Sequence, residues 1–151
     1  MFERIVSKIS KTIVIAALFA MIALSFTQII LRNFFDSGLS WADVTVRHLV
    51  LWVGFFGAVI ATVSGRHITL DIFSRIIPEG AKRYVAAIVG LGSSVVCFVL
   101  AYASFKFVES ERAMGSELFA GVPVWIAQAV IPICFALMAV LFLVRLSFRT
   151  K

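Results

Sequence analysis

Four stretches of this chain, residues 13–31, 49–64, 85–105 and 124–144, contain no Asp, Glu, Lys, Arg or His. A helix that crosses the hydrocarbon core of a bilayer needs about 20 mostly apolar residues. The first, third and fourth stretches have that length, and the second reaches it when extended back toward Trp41. Hydrophobic residues make up 62% of the 151-residue chain and charged residues only 15%. A soluble domain this short could not bury so much apolar side chain, so lipid must solvate much of it. Backbone groups in lipid have to be paired within the span, which leaves helices or closed barrels. Barrel strands alternate in polarity over about 10 residues, whereas these runs are continuously apolar. The expected fold is all-α and integral to the membrane: one four-helix domain over residues 1–151, with spans near 12–32, 41–64, 84–106 and 123–145.

Charge orients the spans. Arg4, Lys8 and Lys11 precede the first. Arg66, Arg75, Lys82 and Arg83 lie between the second and third, and Arg145, Arg149 and Lys151 follow the fourth. The other two connections hold only Arg32, Arg47, Lys106 and Arg112. The positive-inside rule then places both termini in the cytoplasm. The formal charge of +6 is thus mainly a topology signal, with some contact to anionic lipid. Nucleic-acid binding is not expected, because no soluble domain exists to carry it. Trp41 and Trp125 start the second and fourth spans, and Tyr102 and Tyr84 flank the third, as interfacial aromatics do. The first run is too long for a signal-peptide core and no A-x-A site ends it, so an uncleaved span is expected. Residues 1–12 read as a short amphipathic lead-in. Ile72, Phe73, Ile76 and Ile77 share a helical face that predicts a short interfacial helix between spans two and three.

The residues with chemistry to offer are few. Asp43 and Arg47 stand four apart on span two, where pairing is expected and a contact with a partner or headgroup is the alternative. Arg32 can join them. Ser40 and Asp43 have capping-box spacing, with Asp where Glu or Gln is usual. Gly54 with Ala58, Gly57 with Ala61, and Ala86 with Gly90 and Ser94 are small residues at four-residue spacing, which lets helix backbones approach closely. They pack span two on span three, or else bind another subunit. Trp52, Phe55 and Phe56 lie too deep for interfacial anchors and point to a helix–helix contact. Gln28 and Gln128 are expected to hydrogen-bond to neighbouring helices, and Pro132 to kink span four. Cys97 and Cys134 read as small buried apolar residues. His48 and His67 fall at opposite membrane faces and cannot share a haem or metal. No cofactor and no enzymatic activity are expected. Transporters that work alone place ionisable residues within their spans, and these spans have none. The chain therefore reads as an accessory subunit. A self-contained homodimeric transporter and a four-helix membrane oxidoreductase are the alternatives.

Residues 32–78 read RNFFDSGLSWADVTVRHLVLWVGFFGAVIATVSGRHITLDIFSRIIP. This resembles the small membrane subunit of the tripartite ATP-independent periplasmic (TRAP) transporters, the DctQ-like family. The resemblance rests on Arg32, Gly38, Trp41, Asp43, Arg47, Trp52, Gly54, Gly57, Gly65, His67, Ile68, Leu70 and Asp71. The second of two adjacent acids usual in the family is here Val44, which favours a packing or pairing role for Asp43. The resemblance implies two partners in the bacterial inner membrane and periplasm. One is a large membrane subunit carrying the sodium and substrate sites. The other is a periplasmic binding protein that delivers an organic anion such as a dicarboxylate or sialic acid. It also implies that Arg32, Trp41, Asp43, Arg47, Trp52, Gly54, Gly57, His67 and Asp71 serve structure or the subunit interface.

Overall fold

The computed structural model describes residues 2–35, 38–64, 79–118 and 121–149. Its helices are α1 (Phe2–Phe34), α2 (Ser40–Ser64), α3 (Glu79–Met114), α4 (Val124–Gln128) and α5 (Val130–Arg149). Four segments are long and apolar enough to cross a membrane: Glu3–Phe34, Trp41–Ser64, Ile88–Met114 and Val124–Val144. The all-α fold with four spans is therefore borne out. The expected interfacial helix between spans two and three, with His67 and Asp71, lies outside the described residues.

The lead-in and the first span form one helix. No Gly or Pro interrupts residues 2–34, so nothing breaks the backbone ladder between the amphipathic start and the apolar run. Its 33 residues extend about 50 Å at 1.5 Å per residue. α3, with 36 residues, is longer still and ends at Gly115, whose φ of +67° suits glycine.

The fourth span is broken where the proline requires it. Pro132 has no N–H for the Gln128 carbonyl, and its ring crowds that carbonyl. The helix accordingly stops at Gln128 and resumes at Val130. The interruption thus falls four residues ahead of the proline that causes it.

α1 packs on α2, α3 packs on α5, and the two pairs meet along a smaller α2–α5 seam. The helices therefore follow one another across the membrane as α1, α2, α5, α3. Most of the core sits at the seam, where Val59, Val130, Cys134, Met138 and Leu141 are buried. Phe55 meets Phe135 there edge to face, with centroids 5.3 Å apart. The outer helices carry most of the exposed apolar surface: Phe19 on α1 is 74% exposed and Phe98 on α3 is 71% exposed. Lipid covers such faces at no cost, which is why a fold with so small a protein core is stable in a bilayer.

The expected packing of span two on span three is not what the structure has. Ser94 is buried against α5 and donates to the Ala139 carbonyl at 3.3 Å. Ser94 thus brings α3 close to α5, whereas Gly54 and Gly57 of α2 have open space beside them.

Hydroxyl groups within the helices mostly bond to their own turn. Thr27 donates to Ala23, Thr45 to Trp41, Thr62 to Ala58 and Ser104 to Leu100. Each is a bond to the carbonyl four residues back, which satisfies the group without a partner helix.

Candidate functional site on the second span

α2 has two contrasting faces. Trp52, Phe55, Val59 and Thr62 face inward at helical spacing. Val59 is fully buried, Thr62 nearly so, and both aromatics pack on the seam. On a separate face, Asp43, Arg47, Val50, Gly54, Ala58 and Ala61 recur every three or four residues, and all are exposed. A Cβ built on Gly54 or on Gly57 meets nothing within 4 Å. Neither glycine is required by packing inside this chain.

Trp52 holds the inner face together. Its indole N–H donates to the Ala127 carbonyl at 2.8 Å. Ala127 lies next to the break before α5, where the helix ladder is weakened. A tryptophan reaching across from α2 supplies a donor there, and its ring packs on Phe56 with centroids 6.2 Å apart. Trp52 thus makes a helix–helix contact within this chain.

Asp43 is not held by Arg47. Gln28 of α1 donates its Nε2–H to Asp43 Oδ1 at 2.9 Å. A charge-assisted bond of this length from a neighbouring helix fixes α1 against α2. Arg47 and Arg32 are exposed, and no ion pair of either is present among the described residues. Trp41, beside Asp43, is partly buried at the start of α2. Replacing Gln28 with Leu leaves the exposed Asp43 carboxylate without its donor, with an expected cost of about 0.5–1.5 kcal/mol. Asp43→Asn keeps a hydrogen-bonding group and should cost less. Unfolding of both variants in detergent, followed by circular dichroism, checks the order.

Gln128 differs from Gln28. Its Oε1 is buried with no donor among the described residues, so the expected bond to a neighbouring helix is absent at that atom. His48 instead bonds locally, its Nδ1–H donating to the Val44 carbonyl at 2.8 Å. Cys97 and Cys134 are free thiols, and Cys134 is buried in the seam.

On the membrane face opposite the termini, Arg112 stacks over Trp125 at 5.3 Å and Lys106 over Tyr102 at 5.2 Å. Two backbone bonds tie Ser116–Leu118 to Val122–Val124: Leu118 N–H donates to the Val122 carbonyl at 2.7 Å and Val124 N–H to the Ser116 carbonyl at 2.9 Å. Gly121, with φ +79°, turns the chain into Pro123 and α4. The sequence gives no signal for the Arg112–Trp125 stack, because 13 residues and a turn separate the two.

These features define a multi-pass α-helical membrane protein with one open face of small residues. The profile of the DctQ component of tripartite ATP-independent periplasmic transporters matches residues 8–150, and the chain belongs to that family. Two putative TRAP transporter small permease proteins of Haemophilus influenzae are similar to it. One is 28% identical over 94 residues, covering 62% of this chain and 57% of that protein. The other is 25% identical over 95 residues, covering 63% and 59%. The ectoine TRAP transporter small permease protein TeaB of Halomonas elongata is 25% identical over 142 residues, covering 93% of this chain and 74% of that protein. The chain thus spans less than two thirds of the two Haemophilus relatives. The family is one of transporter subunits, not of enzymes.

Proposed function

We propose that this chain is the scaffold-type small membrane subunit of a sodium-coupled TRAP transporter, and that α2 is the helix that seats on the large subunit. The observation that carries this reading is the open face of α2. Gly54, Ala58 and Ala61 lie on the side away from the internal seam, and a Cβ at Gly54 or Gly57 has no neighbour within 4 Å. Small residues on a lipid-facing helix bring no packing benefit by themselves, but against another helix they allow close backbone approach. The absence of ionisable residues from all four apolar runs fits a supporting role, with substrate and sodium handled by the partner. Arg32 and Arg47 stand at the membrane end of this surface and can meet acidic groups of that partner. The excess of Lys and Arg on the side of the termini supports a cytoplasmic placement of both, and the family supports an inner-membrane location.

The cargo does not contact this chain in the proposal. An organic anion, delivered by a periplasmic binding protein, rests on the family resemblance alone and on no residue here. The Halomonas relative is named for ectoine, a statement about that protein's transporter. Co-expression with a large membrane subunit of a TRAP transporter tests the reading. The expected result is a stable two-subunit complex in detergent. A chain that purifies as a homodimer and leaves the large subunit behind would instead favour a self-contained transporter.

A further inference from the structure

A groove of about 400 Å³ opens where α1 begins and α2 ends, lined by Glu3, Arg4, Ser7, Lys8, Lys11 and Ser64 among others. Among the described residues its lining sets three cations against one carboxylate. The helix register explains its position. Gln28 bonds to Asp43 near the far end of the α1–α2 pair, and the antiparallel run from there brings Ser64 level with Ser7. The groove therefore sits where α2 leaves the membrane, at the depth of lipid headgroups.

The face above it is equally specific. Arg4, Lys8 and Lys11 recur at four- and three-residue spacing, and the same spacing continues through Ile15, Leu18, Ile22, Phe26 and Ile29. All five of these apolar residues are exposed, Ile22 and Phe26 each at 63%. One face of α1 thus has a cationic end about 10 Å long, followed by an apolar track. That order matches a phospholipid, with an anionic headgroup at the cations and acyl chains along the track.

We infer that the groove between the start of α1 and the end of α2 is a binding site for an acidic phospholipid. Arg4, Lys8 and Lys11 hold its headgroup, and the Ile15–Ile22–Phe26 track carries its chains. Its cations and its apolar track lie on α1, and of α2 it takes only the end at Val63 and Ser64, apart from the Gly54 and Gly57 surface proposed for the large subunit.

Native mass spectrometry of the full chain in detergent tests the site. Phosphatidylglycerol and phosphatidylcholine with identical acyl chains are added in competition. The expected result is about tenfold preference for phosphatidylglycerol, lost when Arg4, Lys8 and Lys11 are all replaced by Gln. Replacing Lys106 and Arg112 by Gln, at the opposite membrane face, should leave the preference intact. Millimolar inorganic phosphate should not displace the lipid, since it lacks the chains that the track holds. Equal retention of the two lipids by the wild-type chain overturns the inference whatever the variants do. So does a triple variant that keeps the preference, or displacement by phosphate at lipid-equivalent concentration.

Discussion

Gly54→Leu and Gly57→Leu should each cut recovery of the large subunit with this chain by about tenfold or more, equivalent to about 1.4 kcal/mol of lost association. The isolated chain should fold as before. Both parts follow from the open face of α2. A leucine at either position meets no atom of its own chain at the Cβ, and in a helix interior it replaces the least favourable residue but proline. Against a partner helix the same side chain holds the backbones apart. The Gln28→Leu variant supplies the contrast. It weakens α1 against α2 and should lower stability of the chain more than it lowers assembly. Undiminished complex yield from both glycine variants would remove α2 as the contact. Unfolding of the isolated variants would show that these glycines serve the chain's own packing.

Trp52→Ala should be the most damaging single change to the chain itself, at about 3–5 kcal/mol for a truncated, well-packed tryptophan. It empties the inner face of α2 beside Phe56 and leaves the Ala127 carbonyl without the indole donor. Trp52→Phe separates the two effects. The ring volume is largely kept, so the remaining loss of about 1–2 kcal/mol reports the hydrogen bond. Thermal unfolding in detergent, monitored by far-ultraviolet circular dichroism, measures both. A Trp52→Phe variant as stable as the parent would mean that the break in the fourth span needs no donor from α2.

The fold was legible because four uncharged runs leave the backbone no alternative to helices in lipid. The interruption of the fourth span was legible in kind from Pro132, although it lies at Gln128–Val130, since the proline acts on the carbonyl four residues before it. Sequence spacing was a poorer guide to which groups meet. Asp43 and Arg47 share a helical face, but Gln28 takes the carboxylate from another helix, and local spacing carries no record of a residue 15 positions away. The stripe on α2 was visible as a stripe. Its direction depended on which helices neighbour each other, and periodicity does not encode that order. His67 and Asp71 fall outside the described residues, so their structural or interface role stays an expectation.

The length of α3 has a consequence for anything that approaches from water. Its third-span helix does not stop at the apolar run but continues through Lys106 to Met114. Those nine residues add about 13 Å of rigid rod, with Glu109, Ser110 and Arg112 exposed along it. The cation stack of Arg112 on Trp125 braces this rod to the root of the fourth span. The part of α3 beyond its apolar run therefore stands on this face as a fixed mast, with Gly115 at its top. A soluble protein approaching this face would touch the mast before it touched the lipid.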